Sequence, residues 1–188
     1  MGSNEIMTTE AEYKARITSY NWDDLIKLWS EIESGNTPNW DAGKALEYLI
    51  LRAFQLNNAE VTWPYSVYLD GEEIEQIDGV VYADGLSCII ECKDTAKPVK
   101  IEPIAKLRNQ LLRRPAATIG SIFSRSGFTE ASETLAGFIA PQTILLWGGE
   151  EIKYSLENEC IRRALIKKYR ICVEQGLANY SIKTEVLS

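Results

Sequence analysis

The chain has 188 residues, of which 45% are hydrophobic and 25% charged, an ordinary globular balance with enough length for one sizeable core. It contains no histidine. That excludes Ser-His-Asp and Cys-His catalysis, zinc sites built on histidine, and nucleases that rely on a histidine general base.

Met1-Gly-Ser-Asn-Glu-Ile-Met7 has no basic region followed by an apolar one, so no secretory signal is expected. No run of about 18 apolar residues occurs, so no membrane span is expected either. Cys88, Cys92, Cys160 and Cys172 show no C-x-x-C spacing and read as free thiols of a cytoplasmic protein. Glu10 to Ser34 reads as one or two helices, with Leu25, Ile26, Leu28, Trp29 and Ile32 at helical spacing. Ser34 to Asn39 is a loop, and Asp41 is the expected N-cap of a helix running to about Leu56. Val61 to Leu69 is a strand interrupted by Pro64, followed by a turn at Asp70-Gly71.

Two apolar runs, Ile77 to Ala83 and Leu86 to Lys93, flank Asp84-Gly85. That dipeptide signals a two-residue hairpin turn, because both positions take φ > 0. The register pairs Ala83 with Leu86, which sets Asp78 opposite Glu91 and Gln76 opposite Lys93. Glu91 and Lys93 then share a strand face with Asp78. Directly opposed carboxylates repel. A divalent cation between them removes the repulsion, and oxygen ligands suit Mg²⁺. A lysine on the same face can orient or help deprotonate an attacking water and stabilise charge on a phosphoryl transition state. The alternative is a surface hairpin with a Glu-Lys pair and an incidental Asp. Ile89-Ile90 and Val80-Val81 favour the first reading, since they mark both strands as buried.

Glu47 sits among Gly43, Ile50, Leu51 and Phe54 on an apolar helix face. A carboxylate there needs a partner, either a metal-linked water or Lys44 at the rim. Asp94 to Pro98 is a loop, and Ile101 to Arg113 reads as a helix ended by Pro115. Lys106, Gln110 and Arg113 share one of its faces, with Arg114 adjacent. They contact phosphate, hold the active-site lysine, or form a solvated face. Ala117 to Phe123 is a strand. Ser124-Arg125-Ser-Gly-Phe-Thr129 after it is either a phosphate-binding turn or an ordinary loop before a helix capped by Thr129. Thr143 to Trp147 is a further strand, and Leu156 to Glu174 a long basic amphipathic helix.

The net charge of −7 argues against nonspecific nucleic-acid binding, but the charge is uneven. From Lys97 to Arg125 there are seven basic residues against Glu102 alone, a local charge of +6. Cys160 to Cys172 adds five basic residues and no acidic one. A positive stripe beside an acidic cluster suits a phosphodiester substrate met by metal ions, although two solvated helix faces give the same pattern.

The order of these motifs resembles the PD-(D/E)XK nuclease superfamily: Glu47 on a helix, Asp78-Gly79 on a strand, Glu91-Cys92-Lys93, then a helix carrying Gln110. Gly120 to Ala131 is similar to the strand, Gly-Phe-Thr turn and helix of its Mrr-like restriction endonuclease branch. The resemblance covers roughly Asp41 to Glu157. It implies an α/β fold, a restriction-endonuclease-like three-layer α/β/α core with a mixed central sheet and an N-terminal helical extension. It implies one nuclease-like domain over 1–188, with a helical segment at 1–40, the core at 41–157 and a C-terminal helix and tail at 158–188. It further implies Mg²⁺-dependent phosphodiester cleavage, with Mn²⁺ able to substitute. Asp78 and Glu91 are then metal ligands, Lys93 the catalytic lysine and Glu47 the helix acid. Lys106, Gln110, Arg113, Arg114, Ser124 and Arg125 are the candidate nucleic-acid contacts.

The expected function is a DNA endonuclease of host defence, with a homodimer or a partner protein that supplies target recognition as further expectations. The alternatives are a noncatalytic nucleic-acid-binding or structural subunit of a larger defence complex, and an RNA-directed nuclease.

Overall fold

The computed structural model of the chain describes residues 9–184; the reading of Met1 to Met7 falls outside them. Among the described residues no helix is long and apolar enough to cross a membrane. The elements run α1 (Glu10–Thr18), α2 (Trp22–Ser34), α3 (Lys44–Leu56), β1 (Glu60–Thr62), β2 (Tyr65–Leu69), β3 (Glu72–Ile77), β4 (Gly79–Ala83), β5 (Leu86–Lys93) and α4 (Ile101–Leu111). They continue with β6 (Thr118–Ser124), α5 (Glu130–Phe138), β7 (Ile144–Trp147), α6 (Gly149–Glu157) and α7 (Ile161–Gln175).

A five-stranded sheet of order β1-β4-β5-β6-β7 forms the centre. β1, β4 and β5 are antiparallel neighbours, while β5, β6 and β7 run parallel. The sheet is therefore mixed, with helices on both faces. One face packs on α1, α2, α3, α6 and α7 through Tyr13, Trp29, Leu46, Phe54, Phe123, Trp147 and Leu165. The other packs on α4 and α5 through Ile89, Ile104, Leu107, Ile122 and Ala136. The expected three-layer α/β/α arrangement is present. The N-terminal helices are part of its core: Ile17, Leu25 and Ile32 are completely buried, each worth about 1.5–3 kcal/mol of transfer free energy. A capping box opens each helix, Thr9 with Glu12 at α1 and Asn21 with Asp24 at α2.

Two glycines let helices close on the sheet from opposite sides. A Cβ at Gly79 would stand 2.6 Å from Leu51 of α3, and one at Gly120 would stand 2.7 Å from Leu107 of α4. The side chains on those helices thereby reach the sheet's end.

The structure departs from the sequence reading at four places. α3 begins at Lys44 behind a left-handed Gly43, and Asp41 lies in the turn before it. The Val61–Leu69 strand is two strands, parted at Trp63-Pro64 and placed in different sheets. The run Ile77–Ala83 is likewise divided: β3 pairs with β2 in a separate two-stranded sheet, and β4 starts at Gly79. The long basic helix is broken between Glu157 and Ile161, where Glu159 takes φ 49°. Asn57 supports that break, accepting the Arg162 N–H and donating to the Glu159 carbonyl.

Candidate active site

Asp84 and Gly85 take φ 50° and 82°, as the two-residue turn requires, and the ladder runs from Ala83–Leu86 to Gly79–Ile90. One step further out, Asp78 follows the switch from β3 to β4 and meets the carboxyl end of β5. Its Oδ2 accepts the main-chain N–H of Cys92 at 2.8 Å. Glu91, 1% exposed, points to the α4 side of the sheet, because Cys88, Ile90 and Cys92 alternate onto the α3 side. Lys93 Nζ lies 2.6 Å from Glu91 Oε1. Lys106 Nζ reaches across from α4 to both oxygens, at 3.1 Å and 3.2 Å.

The expected Gln76–Lys93 pairing does not form, because Gln76 belongs to the second sheet and pairs with Ser66. The lysine's partner is the glutamate two residues earlier on its own strand.

Burial pushes the Asp78 carboxyl up to about 7, assisted by the negative charges of Glu91 and Glu47 and opposed by the Cys92 N–H and Lys93. Burial also raises Glu47, against the opposing pull of Lys44, whose Nζ is 2.9 Å away. Lys44 is shared with Glu10 at 3.0 Å. Glu47 therefore has the Lys44 partner that the sequence allowed, and it still feels the charge of Glu91 on β5. Burial lowers the Lys93 pKa, but the adjoining Glu91 outweighs it, so the net displacement is upward and the lysine is an ammonium.

No group of three or more carboxylates and thiols is arranged to hold a metal ion among the described residues. Mg²⁺ does not need one, since it keeps several waters and takes one or two carboxylates. Asp78 and Glu91 fit that requirement: two hard oxygen donors, enclosed and mutually repelling.

The other candidate residues are placed as follows. Gln110 is buried and donates to the Gln76 carbonyl at 3.3 Å, tying α4 to β3. Arg113 and Arg114 both engage buried Glu75, the latter at 2.5 Å, and Arg114 also donates to the Gln110 carbonyl. Ser124 is buried, and its hydroxyl donates to the Gly127 carbonyl at 2.8 Å. Arg125 pairs with Asp94 at 2.5 Å, next to Lys93. Only Lys106 of these touches the acidic cluster. Of the seven basic residues of the stripe, Lys97, Lys100 and Arg108 are exposed and make no ion pair among the described residues. Glu75 and Asp94 were not singled out by the sequence. Their partners lie 39 and 31 residues away, and no local spacing records such pairs.

Comparison with known proteins gives three findings. The family model Mrr_cat, described as a restriction endonuclease, matches residues 41–156. No curated protein matches. The similar solved structures include the following two. One, a crystal structure titled protein of unknown function AF1548, is 20% identical with a TM-score of 0.49, over 70% of this chain and 77% of its own. The other, the DNA modification-dependent restriction endonuclease AspBHI, is 13% identical with a TM-score of 0.44, over 87% of this chain and 40% of its own.

Proposed function

We propose, for a chain that belongs to the restriction endonuclease family of the Mrr catalytic type, that it is a Mg²⁺-dependent endonuclease acting on DNA in host defence. The observation that carries this reading is the enclosed pair Asp78 and Glu91 with the Lys93 ammonium 2.6 Å from Glu91. Asp78 and Glu91 are the residues that hold Mg²⁺, or Mn²⁺ in its place. The bound ion supplies Lewis acidity and charge neutralisation at the phosphoryl oxygens. Lys93 extends from the same strand face as Glu91. It donates hydrogen bonds to the attacking water or to a phosphoryl oxygen and stabilises the negative charge that develops there. The Cys92 N–H fixes the Asp78 carboxylate so that one oxygen remains for the ion. Glu47 accepts a hydrogen bond from water at the rim, from the α3 side. Lys97, Lys100 and Arg108 carry the uncommitted positive charge and are the first candidates for contacts along the phosphate backbone.

The test is incubation of the purified protein with supercoiled plasmid, linear duplex, single-stranded DNA and RNA, each with Mg²⁺, Mn²⁺ or EDTA. Lys93→Ala is run beside the wild type. The expected result is that duplex DNA is cut with either metal and spared with EDTA, and that Lys93→Ala loses on the order of 10²-fold or more in single-turnover rate, the effect of removing a charged transition-state donor. Metal binding by Lys93→Ala is expected to stay intact. Cleavage in EDTA, or a variant that turns over near the wild-type rate, sinks the assignment. Cleavage of RNA alone replaces the substrate.

A further inference from the structure

Two ammonium groups face the same buried carboxylate. Lys93 Nζ stands 2.6 Å from Glu91 Oε1, while Lys106 Nζ straddles Oε1 and Oε2 at 3.1 Å and 3.2 Å. A divalent cation held by Asp78 and Glu91 uses the same oxygens, and it repels any ammonium seated on them. One lysine has to give way. Lys93 is the more enclosed of the two, with 29% of its side chain exposed, and it stands two residues from Glu91 on the same strand. Lys106 comes from a different element, α4, and 46% of its side chain is exposed. A long stem rooted on a helix surface can swing outward without disturbing the sheet. Lys97 and Lys100, both exposed, lie just before the same helix.

We propose that Lys106 is a positioning residue that changes partner: it clamps Glu91 in the metal-free protein and moves to a backbone phosphate when the metal binds. This rests on the reading of Asp78 and Glu91 as metal ligands. Two consequences follow. The metal competes with Lys106 for Glu91, so its affinity for the free protein is held down. The released ammonium adds one phosphate contact, so metal and nucleic acid bind with positive coupling. A lysine that remained on Glu91 as a fixed salt bridge would also lower the metal affinity by repulsion, but it would add no phosphate contact, so the coupling to nucleic acid is what distinguishes the exchange.

The experiment titrates Mn²⁺ calorimetrically into metal-free wild type, Lys106→Met and Lys106→Arg, with a thermal melt of each to establish folding. Lys106→Met is expected to bind Mn²⁺ tighter by on the order of fivefold or more, the lower range of coupling between sites. Lys106→Arg keeps the charge and stays near the wild type. Fluorescence anisotropy then follows a labelled phosphorothioate duplex over a salt series, with and without the metal. The wild-type slope of log affinity against log salt steepens with metal by about one unit relative to Lys106→Met, one phosphate contact's worth. Unchanged Mn²⁺ affinity in Lys106→Met, or identical metal responses of the two slopes, overturns the exchange and leaves the metal site standing. If none of the three proteins binds Mn²⁺, the metal site falls and the exchange with it.

Discussion

The carboxylate of Asp78 accepts the Cys92 main-chain N–H at 2.8 Å, so the residue between β3 and β4 is tied to the residue between Glu91 and Lys93. This bond lies one step beyond the last ladder pair, Gly79 opposite Ile90. It holds two acidic side chains together at a place where the chain has already left one sheet for another. The antiparallel ladder stabilises the contact, and the carboxylates themselves oppose it. That opposition yields the first prediction.

Asp78 has its carboxyl at about 7 in the folded protein, against about 3.9 in an unfolded chain. An acid displaced upward stabilises the fold fully below its unfolded value, and the contribution is lost as the pH rises through the folded value. The metal-free protein therefore loses stability between about pH 4 and pH 7. Asp78→Asn cannot ionise and keeps an oxygen for the Cys92 N–H. It is expected to be more stable than the metal-free wild type at pH 8 by about 1–3 kcal/mol, less than the full displacement because Glu47 and Glu91 share the strain. The two should be nearly equal at pH 4. Mg²⁺ should raise the melting temperature of the wild type and leave the variant unmoved. Urea unfolding at the two pH values, with and without Mg²⁺, decides the matter, and equal stabilities at pH 8 would count against it.

Arg113 and Arg114 form the most basic dipeptide of the stripe, yet both are bound to Glu75, whose side chain is almost fully enclosed. Their main effect is on folding. Arg114→Ala is expected to destabilise by about 1–3 kcal/mol, the cost of taking from a buried carboxylate the more enclosed of its two arginine partners. Glu75→Gln, made in the same background, should restore part of that loss, which a double-mutant cycle in urea measures. Neutralising Lys97, Lys100 and Arg108 instead should leave stability unchanged. It should flatten the salt dependence of DNA binding by about one unit for each phosphate that is no longer neutralised. If the Arg114 variant is as stable as wild type and binds DNA more weakly, the Glu75 pairing is not what holds that arginine.

Much of the site was legible because it is local. The Asp84-Gly85 turn and the alternation along Leu86–Lys93 place Glu91, Lys93 and Asp78 without any knowledge of the rest of the fold. Thr129 as the cap of α5 was legible for the same reason, since its oxygen meets Ser132 three residues on. The errors arise where distant parts of the chain decide. Ile77–Ala83 reads as one apolar strand, and only pairing with β2 reveals that it changes sheets at Asp78. Leu156–Glu174 has helical spacing throughout, but Asn57, about a hundred residues earlier, supports the break that splits it. The basic stripe was legible as charge and not as pairing. Lys106, Arg113, Arg114 and Arg125 answer Glu91, Glu75 and Asp94, carboxylates that all precede the stripe in the chain.

Gly79 links the fold to the site. It follows Asp78 directly and faces Leu51 of α3, where an added Cβ would fall 2.6 Å and 2.7 Å from the two leucine methyls. Leu51 is fully buried, so it has little room to retreat. Gly79→Ala should therefore move α3, and with it Glu47, away from the end of the sheet. The expected cost is about 1–3 kcal/mol, the usual range for overpacking a tight core. The leucine methyls are the obstruction, so shortening that side chain should relieve it. Gly79→Ala with Leu51→Val should be more stable than the sum of the single changes predicts, a coupling read from urea unfolding of the four proteins. Cleavage should fall in Gly79→Ala even at temperatures where it is fully folded, because Glu47 and Asp78 no longer hold their spacing, and should recover in the double variant. Strict additivity of the two stability changes would show that Gly79 is not placed for the approach of α3.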